Sequence, residues 1–544
     1  MPRHKGFADC LIPGRSRYTL VHLVQNWRVQ KPAVSTKGGL VVSQNAVAAR
    51  IGAEALGNGG NAVDAVLATA FALAALEPWN SGLGGMGFLV AELAGAANAE
   101  VVDFGPLSPR ALDPRAYPLT GRVKSGLFTW PEVEGDRNIH GPLSFAVPSA
   151  VRGYALASER LGRLSWRDLV TPAARLAARG LPLDWFTTLK IAYAAADLRR
   201  YEESRRIYLA DGLPPCAPPE GETPRRSLGR LAMTLERLAR EGAEDFYKGE
   251  IAAAILADVG AAGGVLSAED LALCEARIRA PLEVAYRGAR LKTPAGMTAG
   301  GSFAQVLSAL SPQHLGASPD ARYFTALLAA LQSVYARRLE TEGEGEIGAQ
   351  TSTTHITAVD REGGIAALTT TLLSTFGSRF VLPQTGILMN NGILWFDPRP
   401  GRPNSIAPNK RALTNICPVI GSREGRPFFA IGASGGRRIL PAVLQIASFI
   451  VDFGMDAERA AHHPRVDYSG GEEILIDRRL AAETLAALER LPGARAVEHT
   501  VLPVRFACPN FIVRGQDGLN AGIADALSPS SGAAAEPSFE EVRQ

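Results

Sequence analysis

The sequence predicts an α+β fold in which sheets are covered by helices. Three observations predict it: sheet-forming stretches at 38–105 and 281–292 flank a helical block at 147–275, a β-branched hairpin follows at 353–373, and helical periodicity fills the gaps between Gly, Asn and Pro punctuation. At 544 residues and 46% hydrophobic content the chain is long enough for a large core and more than one packing unit.

In chain order, residues 1 to about 37 read as an extended lead-in. Asn45 to Leu56 carries apolar residues at helical spacing and closes on Gly59-Gly60. Asn61 caps a second, Ala-rich helix through Leu76 that can approach a neighbour closely. The glycines of Ser81–Gly87 match neither phosphate-binding pattern and read as close backbone packing, and Phe88–Glu92 and Glu100–Phe104 read as strands. After a Pro- and Gly-rich loop, helices are expected at Ala150–Leu161, Trp166–Arg179, Asp184–Arg200, Leu228–Leu238, Gly249–Val259 and Ala268–Cys274. Pro281–Lys292 reads as strand, Ala299–Leu310 and Arg322–Arg338 as helices, and 340–352 as a flexible acidic linker.

Thr353–Val359 and Ile365–Leu373 form the hairpin, with Asp360–Gly364 as its turn. Their imperfect alternation suits strands packed on both faces. Phe428–Ile431 is a short strand leading to Gly432-Ala-Ser-Gly-Gly-Arg-Arg438, and a helix is expected from Ile439 to Phe453.

Composition excludes several classes. The formal net charge is only +3 with the basic residues scattered, so no nucleic-acid partner is expected. The N-terminus lacks a continuous apolar run, so neither a signal peptide nor a membrane anchor is expected and cytoplasmic residence is the default. Five widely spaced cysteines and eight dispersed histidines suggest no disulfide framework, metal or cofactor.

A floppy segment feeding a threonine at the head of a central strand is the arrangement a self-cutting enzyme needs. The Thr353 hydroxyl would attack the Ser352 carbonyl, an acyl shift would give an ester, and hydrolysis would leave Thr353 with a free α-amine to act as base. The Gly435-Gly436 turn at a helix start can aim backbone N–H groups at a developing oxyanion. His355 shares a face with Thr353, and its expected duty is structural.

GGLVVSQNAVAARIGAEALGNGGNAVDA at 38–65, EPWNSGLGGMGF at 77–88, TTHITAVD at 353–360, STFG at 374–377, GILMNN at 386–391, NSIAPNKR at 404–411 and GASGGRRI at 432–439 together resemble the gamma-glutamyltranspeptidase family of N-terminal nucleophile hydrolases. The resemblance implies a four-layer αββα sandwich, cut from a precursor into chains 1–352 and 353–544 that stay associated. It places the nucleophile at Thr353, the threonine that positions it at Thr371, the oxyanion donors at Gly435 and Gly436, and a supporting role at Asn391.

Departures from the family pattern bear on substrate. The arginine that reads a γ-glutamyl α-carboxylate is replaced by Gly105, with Arg110 nearest in sequence; the carboxylate after the paired asparagines is lost where Trp395 lies; an expected asparagine is Leu373; and paired serines become Thr414-Asn415. Removing both ends of a zwitterion clamp disfavours γ-glutamyl transfer. The WFDPRPGRPNS run resembles the family's atypical branch, which includes oxamate amidohydrolase and acylases for glutaryl- or cephalosporin-type side chains. There Trp395 would line the pocket, Thr414 and Asn415 would bind a polar amide, and Arg110, Arg437 or Arg438 would meet a carboxylate. The expected activity is hydrolysis of a small carboxylate-bearing amide. The alternatives are a γ-glutamyltransferase or glutathione hydrolase, and a binding protein that has lost activity. Association of two processed units is left open.

Overall fold

In the computed structural model, residues 29–123, 130–338, 352–499 and 505–537 are described. The strands of its two large sheets are β1 Val34–Thr36, β2 Leu40–Ser43, β3 Met86–Glu92, β4 Glu100–Phe104, β5 Arg277–Arg279, β6 Leu282–Tyr286, β7 Ala289–Thr293, β8 Ser352–Val359, β9 Ile365–Leu373, β10 Val419–Arg423, β11 Arg426–Ser434, β12 Cys508–Arg514, β13 Asn520–Ala524 and β14 Gly532–Ala535. The helices that cover them include α1 Ala46–Gly57, α2 Ala62–Leu76, α3 Ala150–Leu161, α4 Trp166–Arg179, α5 Gly300–Leu310, α6 Ala321–Arg337 and α7 Ile439–Val451.

One sheet runs β14-β2-β8-β9-β3-β4-β5 and the other β1-β13-β12-β11-β10-β7-β6. Their inner faces share an apolar layer that includes Leu40, Val42, Val90, Val359, Ile365, Ile420, Ala430 and Ile512. α1 to α4 share one core with the outer face of the first sheet, and α5 to α7 share another with the second. The layers are therefore helix, sheet, sheet, helix, and the β8–β9 hairpin lies at the centre of the first sheet. Every residue of both hairpin strands is buried, as strands packed on both faces require.

Local chemistry accounts for this placement. The Asn61 side chain accepts from Val63 and Asp64 N–H while Asp64 reaches back to the Asn61 N–H, a capping box that starts α2. The Asp360 carboxylate accepts from Ala62 N at 3.1 Å and from Gly364 N at 2.8 Å, so the hairpin turn is tied to the start of the helix beneath it. A Cβ on Gly87 would lie 2.2 Å from the Thr369 carbonyl oxygen, which places the glycine-rich run in close packing against the hairpin.

Some elements differ from the sequence reading. Pro281–Lys292, read as one strand, folds as the β6–β7 hairpin, because Arg287 and Gly288 both take positive φ (46° and 76°) and reverse the chain. It also joins the second sheet, whereas β2, β3 and β4 of the 38–105 stretch belong to the first. Ser352, grouped with the linker, is the first residue of β8, and 340–351 lie outside the described residues, as does the lead-in through residue 28. The 428–431 strand extends to Arg426–Ser434 and so runs directly into Gly435.

Candidate active site

A register change in the central hairpin builds the site. Ser352 pairs with Leu373 and Thr354 with Thr370, so the single residue Thr353 faces two, Thr371 and Leu372. Such a bulge kinks its strand and re-aims the side chain there. Leu373 completes it with φ 81°, a left-handed conformation costly for a branched side chain, on the order of 1 kcal/mol.

The hydrogen bonds show what the bulge aims at. Thr371 Oγ1 donates to the Ser352 carbonyl oxygen at 2.6 Å. It accepts from Thr353 Oγ1 at 3.2 Å and from Leu373 N at 2.8 Å. A hydroxyl has one proton and two lone pairs, so Thr371 is fully used, with its proton on the carbonyl that precedes Thr353. The Ser352 hydroxyl donates to Thr375 Oγ1 at 2.8 Å. Thr353 is 4% exposed, enclosed but at the edge of water's reach.

His355 cannot serve as base. Its Nδ1 meets Thr369 Oγ1 at 2.8 Å and its Nε2 meets Thr357 Oγ1 at 3.0 Å, and the ring lies where a Gly432 side chain would begin. Burial pulls its pKa down to about 3, so the ring is neutral near pH 7.

The turn after β11 has φ 141° at Gly435 and 58° at Gly436, and a Cβ on Gly435 would meet Ala507 Cα at 2.7 Å, so both steric and conformational reasons demand glycine. A single-turn helix, Gly436–Arg438, then leads into α7. Gln44 connects this turn to the nucleophile strand. Its Oε1 accepts from Thr354 Oγ1 at 2.9 Å and its Nε2 donates to Ser434 Oγ, one residue from each key position. Asn80 Nδ2 donates to Gln44 Oε1 at 3.3 Å and to Glu77 Oε2 at 2.7 Å. Burial raises the Glu77 pKa to about 8. Sequence reasoning missed Gln44, Asn80 and Glu77, although a glutamine closing the apolar run Leu40–Val42 was a visible signal.

The remaining predicted residues divide. Asn391 braces the hairpin end, with Nδ2 donating to Ile139 O at 3.0 Å and Ser374 Oγ at 2.8 Å, and Oδ1 accepting from Ser374 N at 3.1 Å. Trp395 is 4% exposed and shares an apolar cluster with Leu373 and Met86. Both the N–H and the hydroxyl of Thr414 donate to the Met297 carbonyl, at 3.0 and 3.1 Å, and its own carbonyl accepts from Arg338 at 2.9 Å; Asn415 follows it, nearly buried. Gly105 lies under a guanidinium: a Cβ there would be 2.7 Å from Arg411 Nη2. Arg110 is elsewhere, 3.9 Å from Glu269 on the wall of a separate cleft. Arg437 lies over the Tyr335 ring, and Arg438 pairs with Asp467 at 3.5 Å.

The model of the gamma-glutamyltranspeptidase family matches residues 48–347 and 339–535, nearly the whole chain. The chain belongs to the gamma-glutamyltranspeptidase family. It is 29% identical to the glutathione hydrolase proenzyme of Escherichia coli K12 over 91% of each chain. It is 30% identical to the acylase ACY 1 proenzyme of Pseudomonas sp. strain V22, over 81% of this chain and 84% of that one. The structure of a cephalosporin acylase from Bacillus halodurans superposes with TM-score 0.79 at 23% identity, covering 95% of this chain and 99% of the other, a likeness of fold. This transpeptidase-family member is therefore an enzyme of the N-terminal nucleophile hydrolase class. Among its described residues no helix is long and apolar enough to cross a membrane, and no group of His, Cys, Asp and Glu could hold a metal ion.

Proposed function

We propose that the chain is a precursor that cuts itself between Ser352 and Thr353 and then hydrolyses a small amide, with Thr353 as nucleophile. The observation that carries the reading is the line Thr353 hydroxyl, Thr371 hydroxyl, Ser352 carbonyl oxygen. As Thr353 Oγ1 bonds to the Ser352 carbonyl carbon, its proton passes to Thr371 Oγ1 and the Thr371 proton passes to the carbonyl oxygen. No charged oxyanion need be left in a buried site. Collapse breaks the carbon–nitrogen bond, the proton moves to nitrogen, and the resulting ester is hydrolysed to a Ser352 carboxylate and a free Thr353 hydroxyl and α-amine.

The fragments 1–352 and 353–544 would remain together because their strands interleave. β8 lies between β2 of the first fragment and β9 of the second, and β11 to β13 share a sheet with β1, β6 and β7.

In the processed enzyme the α-amine, with an ordinary pKa near 8, takes the Thr353 proton as Oγ1 attacks the substrate carbonyl. Gly435 and Gly436 N–H groups receive the oxyanion. The leaving amine or ammonia takes the proton back, and water releases the acid from the acyl-enzyme.

An acyl amide bearing a carboxylate, of which oxamate is the shortest, fits better than a γ-glutamyl amide. Gly105 offers no cation of its own, but Arg411 Nη2 lies 2.7 Å from where its Cβ would be and can meet a carboxylate, whereas Trp395 and Leu373 lie in one apolar cluster that offers an α-amino group no counter-charge. Comparison of acyl anilides with γ-glutamyl anilide, with and without a dipeptide acceptor, tests the reading. Turnover of acyl anilides without acceptor stimulation is expected; faster, acceptor-stimulated release from the γ-glutamyl anilide would contradict it.

A further inference from the structure

The Gly435-Gly436 turn is held on both flanks. Before it, the Ser434 hydroxyl accepts from Gln44. After it, the Arg437 carbonyl accepts from the Tyr335 hydroxyl at 2.8 Å, in a buried bond. Local geometry explains why that carbonyl takes a donor from another element. Arg438 N donates to Gly435 O at 3.2 Å and Ile439 N to Gly436 O, in the single turn that precedes α7. The N–H that an α-helix would return to the Arg437 carbonyl belongs to position 441, and Pro441 has none. Tyr335, 1% exposed, supplies a donor there, and the Arg437 guanidinium lies over its ring, 5.3 Å from the centroid.

Arg338 follows Tyr335 by three residues at the end of α6, which sets the two side chains on one helix face. Its buried guanidinium donates to the Thr414 carbonyl at 2.9 Å, to Ser302 Oγ at 3.0 Å and to Thr298 O at 3.4 Å. The fork thus ties Thr414 to the start of α5, a junction that Ala299 N also closes by donating to Ile416 O at 3.1 Å. One helix end of fragment 1–352 therefore reaches two stretches of fragment 353–544, Thr414–Asn415 and Gly435–Arg437.

We propose that the end of α6 braces the active site, with Tyr335 and Arg338 as positioning residues: Tyr335 fixes the Gly435-Gly436 turn and Arg338 fixes Thr414–Asn415. The proposal rests on the oxyanion and amide-binding roles given to those residues above. It separates the two reactions of Thr353. Self-cleavage passes its proton along Thr353, Thr371 and the Ser352 carbonyl and leaves no oxyanion for the turn to hold. Substrate hydrolysis places negative charge on that turn. Tyr335 therefore matters to turnover and not to self-cleavage, and because the turn acts only once charge has developed, it acts on kcat rather than KM. Arg338 works through a segment that meets the substrate before reaction, so its loss raises KM.

The test uses the full-length, self-cleaved enzyme. Tyr335→Phe keeps the ring and removes the hydroxyl: kcat for glutaric monoanilide should fall about 10- to 100-fold at unchanged KM, less than the loss of an oxyanion donor itself, while self-cleavage stays within about threefold of wild type. Arg338→Gln should instead raise KM about tenfold. An undiminished kcat in Tyr335→Phe, an equal slowing of its turnover and self-cleavage, or an unchanged KM in Arg338→Gln would overturn the proposal. Pro441→Ala restores an N–H four residues on from Arg437, and recovery of most of the lost kcat in the double variant Tyr335→Phe, Pro441→Ala supports the Arg437 carbonyl as the point of contact. Butylboronic acid probes the turn without amide turnover: the Thr353 oxygen gives a lone pair to boron, its proton passes to the α-amine, and boron becomes a tetrahedral anion. Binding about tenfold weaker in Tyr335→Phe supports the brace, and equal binding overturns it. Wild type that binds the boronic acid, with weaker binding in Tyr335→Phe, yet turns over no acyl anilide would contradict the amidohydrolase reading and leave the brace standing.

Discussion

The Thr371 hydroxyl donates a 2.6 Å hydrogen bond to the carbonyl oxygen of Ser352, the residue that precedes the nucleophile. The Thr371 hydroxyl oxygen itself accepts the Thr353 hydroxyl at 3.2 Å. One side chain thus touches both the attacking group and the oxygen that gains charge, and the bulge opposite Thr353 is what puts it there.

Thr371→Val keeps the shape and removes the proton carrier. Self-cleavage, followed as loss of intact chain on a denaturing gel, should slow about 100-fold or more, the usual size of an acid–base contribution. Thr371→Ser should stay within about tenfold of wild type. Equal slowing in both variants would mean that the methyl group, not the hydroxyl, matters.

Gln44 holds Thr354 and Ser434 at one amide. Gln44→Leu should lower kcat about 10- to 100-fold with little change in KM, since the nucleophile and the oxyanion turn lose their common anchor while the substrate's surroundings are untouched. A rise in KM at constant kcat would place Gln44 in substrate binding instead.

The pH dependence separates two bases. With His355 held neutral down to about 3, kcat/KM should rise with pH along one limb near 8, set by the Thr353 α-amine. A limb near 6.5 that disappears in His355→Gln would contradict this assignment.

Stability should depend on pH in opposite senses through two buried groups. Glu77 has a folded pKa of about 8 against 4.5 for the free group, so its contribution is complete below 4.5 and is lost as pH rises through 8. His355 is depressed from 6.5 to about 3, so the unfolded chain takes up a proton first and stability falls as pH drops from 6.5 towards 3. Glu77→Gln should flatten the decline between pH 4.5 and 8, gaining on the order of a few kcal/mol at pH 9 in denaturant titrations. An unchanged slope between pH 4.5 and 8 would remove Glu77 from this role.

What was legible in the sequence was local. Asn45 and Asn61 announced α1 and α2 through their capping side chains, and the hairpin announced itself through its threonines and Asp360–Gly364. Thr371 could be placed beside Thr353 by simple pairing, but the bulge that turns it onto Ser352 arises from a register change between strands, which no single-strand pattern encodes. The roles of Gln44 and Arg411 were hidden for the same reason: the partners of Gln44, Ser434 and Thr354, and that of Arg411, Asp103, are distant in sequence and meet only across the assembled sheets. The β6–β7 reversal was missed because Arg287-Gly288 lacks the Asn or Asp that usually marks such a turn.

The most direct test is the mass and N-terminal sequence of the purified protein. Wild type should give two fragments, the smaller beginning Thr353-Thr354-His355-Ile356, and Thr353→Ala should remain one chain of 544 residues. A single intact wild-type chain, or a cut at any other bond, would contradict the assignment of Thr353 as the nucleophile.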